Sequence, residues 1–112
     1  MNLVIVLAIA VVGCRGAAQD APCGVAAGRS FTIAKDELAA TTVDDATRRA
    51  VADQLPAMRD ALDQACTKGE WSATVRNCIA NAPDHVAIQT CEQQLTEAQR
   101  HLLDLAARGA SQ

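Results

Sequence analysis

Residues 66–99, CTKGEWSATVRNCIANAPDHVAIQTCEQQLTEAQ, decide the fold. Apolar side chains recur there at every third or fourth position, the spacing of a buried helix face. One periodic run ends at Lys68 and Gly69, a cation followed by a glycine suited to a left-handed cap. Pro83 and Asp84 mark a turn. The capping box from Thr96 to Gln99 then starts another helix. The segment predicts two short helices and the beginning of a third.

A longer helix is predicted upstream, from residue 42 to residue 66. Thr42 is its predicted cap, and two acids near the start favour the positive end of the helix dipole. Pro56 interrupts the pattern and predicts either a kink or a division into two helices. One buried stripe is expected to contain Val51, Leu55, Met58, Leu62 and Ala65. The predicted fold is all-α, with three to four helices over residues 42–110.

The composition agrees with one small helical domain. The chain has 112 residues, of which 24 are alanine, while Phe31 and Trp71 are its only aromatic residues. Trp71 is therefore predicted to anchor the core rather than to form a ligand platform. A net charge of −3 with no cluster of basic residues excludes nucleic acid from the expected partners.

The amino terminus predicts export. Residues 3–12 are an unbroken apolar run, long enough for a signal peptide and too short to span a bilayer. The run ends in Val11-Val12-Gly13-Cys14, which resembles the lipobox of bacterial lipoproteins. The resemblance implies cleavage before Cys14 and alkylation of its thiol by a diacylglycerol, so that acyl chains such as palmitate hold the protein to the lipid bilayer. Arg15, where inner-membrane lipoproteins of enteric bacteria have Asp, implies the periplasmic face of the outer membrane rather than the inner membrane.

The amino terminus departs from the lipoprotein pattern in one respect, and this leaves an alternative open. Met1 and Asn2 precede the apolar run without the usual Lys or Arg. An ordinary secretory signal cleaved after Ala18 would also export the chain. The leading interpretation divides the sequence into a signal peptide at residues 1–13, a lipidated and flexible or extended lead at 14–41, and a helical domain at 42–110.

Four further cysteines, Cys23, Cys66, Cys78 and Cys91, predict two disulfides in an oxidising compartment. Three pairings are possible. If residues 71–95 form an antiparallel helical hairpin, Cys78 and Cys91 lie at different heights along it, which favours Cys66–Cys91 and leaves Cys23–Cys78. No cysteine pair has C-x-x-C spacing, so neither a metal nor another cofactor is expected.

A wider resemblance rests on Cys66, Trp71-Ser72, the two following cysteines and the Leu-Thr-x-x-Gln run that begins at Leu95. This C-x4-W-S…C…C…L-T-x-x-Q pattern, over roughly residues 55–105, resembles a helical module of uncharacterised small bacterial lipoproteins and secreted proteins. The resemblance implies an envelope location and a helical unit braced by disulfides. It implies no activity.

No catalytic constellation is evident. His85 and His101 have no nucleophile or carboxylate arranged around them in sequence, so each is predicted to be a surface or capping residue. The leading hypothesis is a non-enzymatic envelope lipoprotein that binds or braces another envelope component. The first alternative is a periplasmic chaperone that binds unfolded clients. A thiol-redox protein is a second alternative, which the sequence favours less.

Overall fold

The computed structural model describes residues 19–110, and the predicted signal peptide and lipidation site at Cys14 lie outside these residues. The described chain is all-α, as predicted. It contains five helices and no strand. The helices are α1 Cys23–Ala40, α2 Asp45–Lys68, α3 Ala73–Ala80, α4 His85–Glu92 and α5 Glu97–Ala110.

Side-chain caps fix where four of the helices begin. Three caps accept a hydrogen bond from the backbone N–H three residues later: Asp44 from Thr47 (2.7 Å), Ser72 from Val75 (3.3 Å) and Asp84 from Ala87 (2.8 Å). At α5 the backbone N–H of Thr96 donates to Gln99 Oε1 (2.9 Å), and the N–H of Gln99 donates to Thr96 Oγ1 (3.2 Å). The predicted capping box is therefore confirmed. The predicted cap at Thr42 is wrong, because Asp44 occupies that position.

The predicted flexible or extended lead over residues 14–41 is wrong in its described helical part, because Cys23–Ala40 forms α1. Gly24 and Gly28 lie inside this helix, although each glycine costs a helix up to about 1 kcal/mol. Packing against the other helices offsets that cost: Ala26, Ala27 and Ile33 on α1 are buried. The helical domain therefore begins at Cys23 rather than at residue 42, and α1 is the helix that the predicted count omitted.

The helix α2 is continuous from Asp45 to Lys68 with Pro56 inside it, so it is not divided into two. The turn between α1 and α2 is closed by Arg48, whose guanidinium donates to the backbone carbonyls of Leu38 and Thr41. The helices α1 and α2 pack against each other, and the short turn between them makes the pair antiparallel. None of the helices within residues 19–110 combines the length and the apolar character needed to cross a membrane.

Two disulfides are present, but the predicted pairing is wrong. The structure joins Cys23 to Cys66 and Cys78 to Cys91, each with a Cα–Cα distance of 5.7 Å, in place of Cys66–Cys91 and Cys23–Cys78. The first bond follows from the antiparallel pair, because the start of α1 meets the end of α2. Cys78 and Cys91 each lie in the last turn of their helices. The helices α3 and α4 therefore meet near their carboxyl ends and do not form the hairpin that the prediction assumed.

Trp71 is buried in the core, with 3% of its surface exposed, as predicted for the anchor of this domain. It lies directly after a tight turn in which Gly69 has a right-handed conformation and Glu70 has a φ of 50°. The predicted left-handed cap at Gly69 is therefore wrong. Glycine is required there by close approach instead: a Cβ would lie 2.8 Å from the Ala65 carbonyl oxygen and 3.1 Å from the indole ring of Trp71.

Candidate binding cleft

A cleft of about 340 Å³ opens between α1, α2, α4 and α5. Its volume is at the lower end of the range usual for small-molecule sites. Most of the lining is apolar, and the large side chains in it are Phe31, Leu55, Met58, Leu62, Ile88 and Leu103. Met58 is 46% exposed although it belongs to the predicted buried stripe of α2. The cleft therefore leaves part of the apolar face of α2 accessible.

One cation, Arg59 on α2, lies at the cleft and is already engaged. Its guanidinium carbon is 5.2 Å from the centre of the Phe31 ring, a cation–π contact between α2 and α1. Its Nε is 3.4 Å from the carboxylate of Asp60. Arg59 is thus partly neutralised and held against the apolar wall.

Two carboxylates, Glu92 on α4 and Asp104 on α5, line the same cleft, together with His85. Neither carboxylate has an ion-pair partner within 4.0 Å among residues 19–110. Burial raises the pKa of the half-buried Glu92 carboxyl, while the charge of His85 lowers it and the charge of Asp104 raises it further. The cleft therefore places two acids of like charge beside an apolar surface.

Ser30 on α1 is one of the residues that line the cleft. Its hydroxyl oxygen is buried and forms no hydrogen bond with any group in the described part of the chain. A buried hydroxyl without a partner is uncommon, because its desolvation is uncompensated. The burial of this oxygen places it behind the cleft surface rather than on it.

The segment before α1 is fixed to α3. The backbone N–H of Ala21 donates to Asn77 Oδ1 (2.7 Å), and Asn77 Nδ2 donates to a carboxylate oxygen of Asp20 (3.0 Å). Only residues 15–20 separate Cys14 from Ala21. Even a fully extended chain of this length spans no more than about 25 Å. Ala21, the point at which the chain is fixed to α3, therefore lies within that distance of Cys14.

The residues singled out from the sequence are dispersed. His85 lies at the cleft, whereas His101 is exposed on α5 and takes no part in the cleft lining. Within residues 19–110, no three His, Cys, Asp or Glu side chains are close enough together to hold a metal ion. The cleft itself escaped the sequence analysis because its walls come from four separate helices, one of which was not predicted. In the sequence, the lone phenylalanine, Phe31, was the one residue that could have pointed to an apolar surface on this part of the chain.

Comparison with known proteins gives no relative from which a role could be transferred. No protein-family model matches the chain, and neither the curated proteins nor the solved structures contain a match. The resemblance to small bacterial lipoproteins and secreted proteins therefore stays a prediction.

Proposed function

We propose that this chain is an exported, non-enzymatic binding protein of the bacterial cell envelope, tethered to the membrane through acyl chains on Cys14. One observation carries the proposal: all four cysteines that follow Cys14 are joined in disulfides. Structural disulfides of this kind persist in oxidising compartments such as the periplasm. The apolar run ending at Gly13-Cys14 supplies the route to that compartment.

The cleft supports a binding role. Its apolar surface is accessible, and it lies between helices that are linked by Arg48 at the α1–α2 turn and by the Cys23–Cys66 disulfide at the other end of the same pair. A pocket held on a rigid frame loses little conformational entropy when a ligand enters. The proposed activity is therefore recognition of a ligand or partner by a preformed surface.

The short connection to Cys14 limits where that recognition takes place. With Ala21 fixed to Asn77, the point at which the domain is attached lies within about 25 Å of an acylated Cys14. A tether of this length does not let the domain search far from the bilayer. The proposed partners are therefore molecules in the membrane or close to its surface, on the periplasmic face of the outer membrane.

Metabolic labelling with a palmitate analogue tests the anchor. The full chain, expressed in a bacterial host with a C-terminal tag, is expected to take up the label, and Cys14→Ala is expected to abolish labelling because the thiol that carries the diacylglycerol is gone. Cys78→Ala/Cys91→Ala is the matched control and is expected to retain the label. An unlabelled wild-type chain, or label that persists in Cys14→Ala, would refute the anchor.

A further inference from the structure

We propose that the cleft between α1, α2, α4 and α5 binds a small cationic amphiphile, with the apolar body against Phe31 and the amine beside Glu92 and Asp104. This inference rests on the proposed binding function and specifies its ligand class. It concerns a small molecule and not a docked helix. A cleft of about 340 Å³ accommodates an alkyl or aromatic group but not the width of a helix, which is about 10 Å with its side chains.

The apolar body of the ligand is indicated by the walls. Six large apolar side chains from all four helices face one opening, and only a few polar groups interrupt them. Covering such a surface releases water and is favourable by roughly 25 cal/mol for each Å² that is buried. An apolar group in the cleft is therefore more favourable than the water that it displaces.

The sign of the head group follows from which charges remain unpaired. Arg59 is engaged by Asp60 and by the Phe31 ring. Arg100 lines a neighbouring pocket together with both acids, but its guanidinium donates to the backbone carbonyl of Gln93 (2.6 Å). Glu92 and Asp104 therefore lack a cationic partner within 4.0 Å in residues 19–110.

An ammonium group placed between these two carboxylates would relieve their mutual repulsion. It would also compensate the cost of keeping Glu92 half-buried. An anionic head group would add to the repulsion instead. Charge complementarity therefore selects a cation. Apart from the two acids, the titratable residues at the cleft are Arg59 and His85, among the residues that the structure describes.

Proximity to the membrane fits the same ligand class. The α1 residues that line the cleft, Ser30 to Ala34, lie about 14–20 Å along the helix from Ala21. The tether adds at most about 25 Å. Amphiphiles that concentrate at the bilayer surface are thus within reach of the opening.

Three probes with the same apolar body separate the contribution of the head-group charge from that of the apolar body. They are phenylbutylamine, phenylbutanol and phenylbutyrate. The mature, acylated protein is placed in lipid nanodiscs, and the methyl NMR signals of Leu62, Ile88 and Leu103 are followed during titration, with empty nanodiscs correcting for uptake by lipid. We expect the amine to bind roughly tenfold more tightly than the alcohol and the acid to bind most weakly. Equal affinities, or no shift of these methyl signals, would overturn the proposal.

Matched variants assign the preference to the two acids. Glu92→Gln/Asp104→Asn is expected to lose the roughly tenfold preference for the amine while keeping its affinity for the alcohol. The control, Glu37→Gln/Asp36→Asn, removes two exposed carboxylates of α1 outside the cleft and is expected to behave as wild type. A preference retained in the first variant would overturn the assignment. Because the palmitate labelling tests acylation of Cys14 separately, failure of this titration leaves the membrane anchor intact.

Discussion

Replacing Cys23 and Cys66 with alanine is expected to lower the free energy of unfolding by about 4 kcal/mol, and replacing Cys78 and Cys91 by about 3 kcal/mol. The difference follows from chain entropy, because the first disulfide closes a loop of 43 residues and the second a loop of 13. Urea denaturation of the mature protein under non-reducing conditions measures both losses.

Reduced wild-type protein is the control for this pair of variants, since it lacks both bonds without any substitution. It is expected to be less stable than either double variant. Peptide mapping without reduction should recover Cys23 linked to Cys66, and Cys78 linked to Cys91. Recovery of Cys66 linked to Cys91 would contradict the arrangement of helices described above.

Trp71→Ala is expected to destabilise the domain by about 3–5 kcal/mol. The indole is almost fully buried in the core, and its loss would leave a cavity beside Gly69, which has no side chain to fill it. Thermal or urea unfolding measures the loss. Val86→Ala is the control, because Val86 is 69% exposed and its truncation should change stability by no more than about 0.5 kcal/mol.

A small effect of Trp71→Ala would contradict the assignment of this residue to the core. If the variant unfolds within about 1 kcal/mol of wild type, Trp71 does not anchor the domain. Trp71→Phe refines the test, since it keeps an aromatic ring over Gly69 and is expected to retain part of the lost stability.

The helices α2 to α5 were predictable because their signals are local. Caps such as Asp84, the box from Thr96 to Gln99 and the period of apolar side chains all act within a few residues of chain. The shift of the α2 cap from Thr42 to Asp44 is a small error of the same local kind. Local chemistry thus sufficed for the fold class and for most helix boundaries.

The remaining features depend on contacts between distant residues. Gly24 and Gly28 weaken the sequence signal of α1, because this helix is stabilised by packing rather than by helix propensity. The disulfide pairing depends on which parts of α3 and α4 meet, and the apolar pattern within each helix does not determine that. The cleft required all four surrounding helices in place, so neither its walls nor the proximity of Glu92 to Asp104 was visible in the sequence.

The intact mass of the protein extracted from bacterial membranes, recorded before and after reduction, tests the proposed envelope lipoprotein most directly. We expect a chain that lacks residues 1–13, carries fatty acyl chains on Cys14 and gains two hydrogens for each of its two disulfides on reduction. A chain that retains Met1, carries no acyl group and keeps the same mass on reduction would contradict export, anchoring and disulfide bonding together.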